Sequence, residues 1–179
     1  MSGARDSAKT ARETEKRDRT CCFSGYRPEK LPWGANEDDE RCKTLKAALK
    51  NTAERVYRSG IRYFVCGMAR GSDTYFCEAV LELRAEHPDI AVEAAIPCEQ
   101  QPARWSLKDR DRYFALLRRC DSETCISRKY TRDCMTRRNR FMVDRSSVLI
   151  AVYDGKSGGT MNTLKYAERR GLEIIEITP

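Results

Sequence analysis

Short apolar runs and longer amphipathic stretches follow one another along most of the chain. The apolar runs are typical of β-strands and cover residues 20–25, 61–66, 90–96, 123–127, 147–153 and 172–177. In the stretches between them, apolar residues recur at helical intervals, as at Leu45, Leu49, Ala53 and Val56. These stretches predict helices over residues 37–58, 73–87, 103–119, 133–145 and 160–170. The pattern therefore indicates a regular alternation of strand and helix from residue 20 onwards.

This alternation predicts an α/β fold, namely a Rossmann-like three-layer sandwich with a mostly parallel sheet and helices on both faces. A length of 179 residues suits one domain, which we expect over residues 20–179. Residues 1–19 are charged and lack an apolar period, so they predict a disordered charged tail. In folds of this class, ligands bind beyond the carboxyl ends of the strands. The loops that follow the strands are therefore the candidate sites.

Charge and composition limit the classes of molecule that this chain is expected to bind. The chain has 40% apolar and 34% charged residues, and its net charge is +7, from 34 basic and 27 acidic side chains. A basic body suits an anionic partner, whether nucleic acid, nucleotide or acidic protein. No apolar run reaches the roughly 18 residues of a membrane span, and no secretory signal is evident. We expect a cytoplasmic protein with no membrane partner.

The cysteines and the single histidine exclude several kinds of chemistry. Nine cysteines are scattered through predicted strands and helices without a Cys-x-x-Cys pair, which is not the pattern of a zinc site or a disulfide framework. We expect them to be buried reduced thiols. His87 stands alone, so a Ser/His/Asp or Cys/His catalytic set is not expected. No catalytic residue and no metal ligand is assigned.

Two strand-to-helix loops combine glycine with arginine. The first contains Gly25, Tyr26 and Arg27, where glycine allows close backbone approach and arginine offers a forked donor for phosphate. The second spans residues 67–73. Its candidate ligand-binding residues are Gly67, Met68, Arg70, Gly71 and Asp73. Free N–H groups at a helix start attract anions. Asp73 has two interpretations: it caps the helix, or it binds a ribose hydroxyl or a base edge.

The third loop, over residues 154–163, follows the clearest strand and opens a helix. Its candidate ligand-binding residues are Gly158, Gly159, Thr160 and Asn162. Paired glycines followed by a hydroxyl are suited to a phosphate cradle, while the alternative is a turn capped by Thr160. The loop is not a P-loop, because the position of that motif's earlier glycine is occupied by Ile150. On the basic helix over residues 133–145 we expect most arginines to form a solvated face, with Arg138 or Asn139 pointing into the same cleft.

These segments carry a resemblance to a known family. The sequences SGYRP (24–28), GMARGSD (67–73), RNRFMVD (138–144) and SGGTMNTLKYA (157–167) resemble the YpsA-like branch of the SLOG superfamily. The resemblance covers residues 20–179. It implies a Rossmann-like fold and the binding of nucleotides, nucleotide-derived signals or nucleic acid.

Two related families frame the alternatives. The GMARGSD loop is similar to that of the Smf/DprA family, which binds single-stranded DNA. Residues 158–167 are similar to a motif of the Lonely Guy phosphoribohydrolases, in which a glutamate serves hydrolysis. After Thr163 this chain instead has Leu164, Lys165 and Tyr166, with no carboxylate before Glu168, and neither lysine nor tyrosine can stabilise a cationic sugar transition state as a carboxylate does.

The leading interpretation is a module that binds or senses a nucleotide or an ADP-ribose-like ligand. Backbone amides of the second and third loops would hold phosphate, with charge from Arg27 and Arg70, so Arg70→Ala is expected to weaken binding. Asp73 or Asn162 would contact ribose or base. The alternatives are a nucleotide-processing hydrolase and a Smf/DprA-like protein that binds single-stranded DNA. The hydrolase would draw on Asp73, Glu99, Asp154 or Glu168. A homodimer is also left open.

Overall fold

The computed structural model describes residues 2–179, with side chains from Thr10 onwards. The strands are β1 (Thr20–Ser24), β2 (Tyr63–Cys66), β3 (Ala91–Ile96), β4 (Ser122–Cys125), β5 (Val148–Val152) and β6 (Glu173–Ile177). The helices are α1 (Ser2–Asp18), α2 (Glu40–Arg58), α3 (Ser72–Glu86), α4 (Leu107–Leu117), α5 (Cys134–Asp144) and α6 (Gly159–Arg169). A 3-10 turn, Pro28–Lys30, follows β1.

The strands form one sheet in the order β4-β3-β2-β1-β5-β6, and every neighbouring pair is parallel. Cys22 in the central strand pairs with Val65 on one side and with Leu149 on the other. The chain adds strands outward from β1 to β4 and then crosses back to place β5 against β1. The strand order therefore reverses between β1 and β5, where a crevice at the carboxyl ends is expected.

Successive residues of each strand point to opposite faces of the sheet, and their side chains pack into two separate apolar cores. Phe23 packs on the face that also buries Leu49 and Phe76, from α2 and α3. Its neighbour Cys22 belongs to the core beneath α5 and α6. Strand β5 is buried at all five positions because helices cover both its faces. The predicted α/β sandwich of three layers is confirmed, with a sheet that is parallel throughout.

The structure differs from the sequence prediction in the first residues. Residues 1–19 were expected to be a disordered tail, whereas Ser2–Asp18 forms helix α1. Most of this segment is alanine, arginine, glutamate or lysine, all strong helix formers. The lack of a periodic pattern of apolar residues was therefore not evidence against a helix in this segment. Near its end, the Lys16 ammonium lies 4.9 Å from the centre of the Tyr63 ring, and the Lys16 carbonyl accepts a hydrogen bond from the Thr20 hydroxyl.

Two helices begin earlier than the sequence suggested, and neither has a side-chain cap. Asp73 was considered as the cap of α3, yet the N-cap is Gly71, with φ of +82°. Thr160 was considered as the cap of α6, yet the N-cap is Gly158, with φ of +143°. Left-handed backbone of this kind favours glycine over a capping side chain. Asp73 and Thr160 therefore lie inside the first turns of their helices.

Among the residues that the structure describes, no helix is both long and apolar enough to span a bilayer.

Candidate functional site

A cleft of about 350 Å³ opens at the carboxyl ends of β1 and β5, where the strand order reverses. It is lined by the end of β1 and the loop after it, by the loop after β2 with the first turn of α3, by the first two turns of α5 and by the start of α6. The Tyr26 hydroxyl spans the crevice and donates a 2.7 Å hydrogen bond to Oδ1 of Asp154, after β5. Burial and this carboxylate raise the pKa of Tyr26. The bond ties the two central strands together at the rim of the cleft.

A larger groove of about 430 Å³ lies beside α1, over the amino-terminal ends of β1 to β4. Acidic and basic side chains mix in its lining, as Glu13, Glu93, Lys16 and Arg17 illustrate. It lies at the opposite ends of the strands from the glycine-rich loops. The smaller cleft is the candidate site, because it lies at the carboxyl ends of the strands, where ligands of this fold class bind, and contains the start of α6.

The loops after β1 and β2 are held together at one carbonyl. The backbone N–H and the hydroxyl of Ser72 both donate to the Tyr26 carbonyl, at 3.1 and 2.8 Å. A Cβ atom at Gly71 would lie 2.8 Å from the same oxygen, closer than real Cβ contacts. Gly71 is therefore required by this contact as well as by its positive φ. The two loops form one rigid wall of the cleft.

Asp73 and Arg138 meet at Gly67, behind the cleft. The buried Arg138 guanidinium donates to the Gly67 carbonyl, and its Nε donates to Asn139 Oδ1 at 2.8 Å. A Cβ atom at Gly67 would lie 2.6 Å from Asp73 Oδ1 and would also strike the guanidinium. The lack of a side chain at Gly67 therefore leaves room for the buried carboxylate of Asp73 and the buried guanidinium of Arg138.

Asp73 is only 4% exposed, and it lines the cleft. Burial raises the pKa of its carboxyl from 3.8 to about 6, while the charges of Arg138 and Arg27 and the N–H groups of Ala69 and Asp73 itself act in the opposite direction. Burial dominates because an ionised carboxylate loses its hydration there. Asp73 is thus an acceptor whose charge changes near pH 6.

This pKa predicts how stability depends on pH. Well below pH 3.8 the carboxyl is protonated in both the folded and the unfolded chain. As pH rises, the unfolded chain ionises first, and through about pH 6 the folded chain must hold the charge. Asp73 should therefore lower the free energy of unfolding by about 2 kcal/mol between pH 4 and pH 7. Denaturant titrations across this range should show the decrease in the wild type and not in Asp73→Asn. The same decrease in both proteins would contradict the assignment.

The N-terminus of α6 opens into the cleft without a cap. Gly158 offers no side-chain hydrogen bond, and a Cβ at Gly159 would have no atom within 4 Å. The first N–H groups of a helix have no partner within it, and with the helix dipole they favour an anion. Thr160 and Ser24 are each 7% exposed and line the same cleft. Neither hydroxyl bonds to another residue that the structure describes.

Two cations flank this helix start. Arg27 lines the cleft, and its guanidinium contacts the sulfur of Met135 at 3.7 Å, with no ion pair among the described residues. Lys30 donates to the Ser157 carbonyl at 2.7 Å, just before the Gly158 cap. The cleft thus combines unpaired helix N–H groups, two free hydroxyls and two cations, a donor set that suits phosphate.

The structure brings half of the twelve predicted ligand-binding residues into the cleft. These are Gly25, Tyr26, Arg27, Asp73, Gly159 and Thr160. Gly158 adjoins it as the cap of α6, whereas Gly67, Met68 and Gly71 form the wall behind. Met68 is 2% exposed with φ of +58°, and its carbonyl accepts from Gln101 at 3.0 Å. Asn162 lies in an adjoining groove between α5 and α6.

Arg70 does not enter the cleft, contrary to the expectation from its loop. Its guanidinium pairs with Glu29 and lies 3.6 Å from Asp109 and 5.9 Å from the Trp105 ring centre. The glycines on either side of Arg70 suggested that it binds a ligand. The spacing of residues in the sequence, however, does not determine the direction in which a side chain points. Glu29, which itself lines the cleft, and Asp109 already neutralise its charge.

The sequence reasoning overlooked Lys30 and Ser24. Ser24 ends a buried strand, and a polar residue at that position was a signal of the cleft. Lys30 lies three residues after Arg27, in the same short turn. Asn139, which sequence analysis placed near the cleft, lines it and donates to the Thr163 hydroxyl at 2.9 Å. Among the described side chains, no three His, Cys, Asp or Glu residues are grouped to hold a metal ion.

Comparison with known proteins bears on both fold and family. The family model described as the YspA SLOG family matches residues 21–178. The UPF0398 protein YpsA of Bacillus subtilis is 28% identical over 151 residues, covering 83% of each chain. The SPbeta prophage-derived protein YoqJ of the same species is 31% identical over 130 residues, covering 66% of this chain and 73% of YoqJ.

Solved structures agree on the fold. DNA processing protein A from Streptococcus pneumoniae superposes with a TM-score of 0.58 at 14% identity, covering 89% of this chain and 50% of that one. DNA processing protein A from Helicobacter pylori, which binds single-stranded DNA, gives 0.58 at 15% identity, covering 92% and 67%. This chain thus spans half of the pneumococcal protein. At such identities the likeness concerns the fold alone.

Proposed function

This chain belongs to the YspA SLOG family, and from that membership and its cleft we propose that it binds a nucleotide or nucleotide-derived ligand through phosphate. The single observation that carries the proposal is the start of α6. There an uncapped helix opens on Gly158 and Gly159 into a cleft at the strand-order reversal. An anion at this point would satisfy N–H groups that have no other partner.

The other groups of the cleft suggest how the ligand lies. A phosphate on Gly159 and Thr160 would be within the field of Arg27, while Asp73 lies in the same cleft with acceptor oxygens for a ribose hydroxyl. DNA processing protein A of Helicobacter pylori, which shares the fold, binds single-stranded DNA, and a ligand of that class carries the phosphates that the cleft would hold. An ADP-ribose-like ligand combines the same phosphate and ribose groups.

A thermal-stability panel tests the proposal directly. AMP, ATP, NAD, ADP-ribose, cyclic dinucleotides and a short single-stranded oligonucleotide are compared with adenosine, which lacks phosphate. A ligand at about 100 times its Kd adds roughly 2.7 kcal/mol, which is a shift of roughly 5–11 °C for a chain of this size. We expect such a shift with at least one phosphate-bearing compound and none with adenosine. No shift with any of them would contradict the proposal.

Arg27→Ala is expected to weaken binding of that compound by at least about tenfold. A charged hydrogen bond to phosphate contributes about 1.5–3 kcal/mol. Among the described residues, no carboxylate pairs with Arg27 and competes with the phosphate for its guanidinium. Arg55→Ala is the matched control, because it removes the same charge from an exposed arginine of α2 that does not line the cleft. Calorimetric titration should give an affinity within about twofold of wild type for this control. An equal loss in both variants would contradict the site.

Nucleotide hydrolysis is a second candidate function, and one observation favours it. Of the four carboxylates considered for it, Asp73 lines the cleft, and its pKa of about 6 suits a proton donor or acceptor. Prolonged incubation with AMP, followed by chromatography for free adenine and ribose phosphate, tests it. Release that is absent in Asp73→Asn would support hydrolysis, whereas intact AMP with retained binding would leave binding as the function.

A further inference from the structure

A second concave surface continues from the cleft along the outside of the molecule. This groove of about 340 Å³ lies between α5 and α6. It shares Met135, Asn139 and Gly159 with the lining of the cleft. A ligand whose phosphate sits at the start of α6 therefore has an open path into the groove. Helix α6 extends from this point for about 15 Å.

The groove carries positive charge only. Arg140, Lys165 and Arg169 line it, no carboxylate lines it, and none of the three cations forms an ion pair within the part of the chain that the structure describes. Arg112, on the opposite face, shows the contrast, because Glu37 and Glu78 neutralise it. Three unpaired cations on one short groove attract an extended anion, with each phosphate contact releasing counterions.

An aromatic ring lies among these cations. The Tyr166 ring is half-buried, and the guanidinium carbons of Arg140 and Arg169 lie 5.4 and 5.9 Å from its centre. Its hydroxyl donates to Asp144 at 2.9 Å, which fixes the ring on the helix. Aromatic rings and guanidinium planes both stack on nucleobases, with little regard to which base is present.

We propose that the α5–α6 groove is a subsite for a second nucleotide, joined through phosphate to the one in the cleft. The phosphate of the first nucleotide binds at the start of α6, and the second places its phosphate among Lys165 and Arg169 and its base against Tyr166. This inference rests on the proposed function of the cleft. Its ligand chemistry is a phosphate-linked nucleotide chain, which a free dinucleotide and a single strand of nucleic acid share.

The experiment compares AMP, the 5′-phosphorylated dinucleotide pApA and a ten-residue oligoadenylate by calorimetric titration at two salt concentrations. In the wild type, pApA should bind at least tenfold more tightly than AMP and with a steeper salt dependence. In Lys165→Gln/Arg169→Gln, the AMP affinity should stay within about twofold of wild type, while the advantage of pApA falls below threefold. Arg55→Gln/Arg118→Gln removes the same charge from the opposite face and should retain the full advantage.

The outcomes separate the subsite from the cleft. Equal binding of AMP and pApA to the wild type would overturn the second subsite and leave the proposed function intact. An advantage of pApA that survives in Lys165→Gln/Arg169→Gln would also overturn it. Absence of binding by all three compounds would overturn both. A ten-residue strand offers nine overlapping dinucleotide registers, so its affinity is compared per register. If the subsite holds, oligoadenylate binding at least tenfold tighter per register than pApA identifies a nucleic-acid strand as the source, and equal affinity per register identifies a free dinucleotide.

Discussion

Arg138→Met is expected to lower the free energy of unfolding by about 3 kcal/mol, because it removes the donor of a buried carbonyl and the positive charge that offsets a buried carboxylate. Arg138 is 5% exposed, donates to the Gly67 carbonyl and offsets the charge of Asp73. Breaking one side of a buried pair of charges typically costs about 3–5 kcal/mol. For a chain of this length, a loss of about 3 kcal/mol lowers Tm by roughly 6–12 °C.

Two comparisons make this result specific. Arg137→Met alters the adjacent, exposed arginine of the same helix and should change Tm by no more than about 2 °C. Asp73→Asn added to Arg138→Met removes the unpaired charge and should restore part of the loss at pH 8. If the double variant is as unstable as the sum of the two single variants, the charges are not coupled, and the account of the Gly67 wall is wrong.

Much of the fold could be predicted from the sequence because its signals are local. The all-apolar run around Val148–Val152 and the helical spacing of Leu45, Leu49 and Ala53 follow from the burial each element requires. The order of strands in the sheet could not be predicted this way. It depends on contacts between β1 and β5, which are far apart in the sequence.

The candidate site was predictable to a similar extent. Gly25 was recognised because a close approach of the backbone makes a local demand for glycine, and Gly159 because of its place at the start of a helix. Side-chain directions were not, since they depend on partners elsewhere in the chain. Arg70 turns towards Glu29 and Asp109, whereas Lys30 reaches the loop after β5. Neither partnership has a signature in the spacing of residues.

Gly159→Asp is expected to weaken nucleotide binding by about thirtyfold or more without lowering stability. The position is open, with nothing within 4 Å of an added Cβ, and its φ is not positive. A carboxylate in the first turn suits the helix dipole and stabilises the helix by about 0.3–1 kcal/mol. The same charge repels a phosphate: two unit charges 4 Å apart interact by about 4 kcal/mol near a protein surface. If solvent reduces this repulsion to about half, the remaining energy of about 2 kcal/mol corresponds to a change in Kd of about thirtyfold.

Gly159→Asn provides the matched control, because asparagine has the shape of aspartate without its charge. Both substitutions add the same bulk at the start of α6, so the difference between them isolates the electrostatic effect. Thermal melts of the two variants and the wild type should show that the fold is retained in each, with the aspartate variant at least as stable as the asparagine variant.

The most direct measurement is therefore the calorimetric Kd of these three proteins for the nucleotide that gives the largest thermal shift. The account predicts that Gly159→Asn retains affinity within about tenfold of wild type, and that Gly159→Asp binds about thirtyfold or more weakly than Gly159→Asn while melting no lower. Equal affinities of the aspartate and asparagine variants would mean that phosphate does not bind at the N-terminus of α6, and would contradict the account.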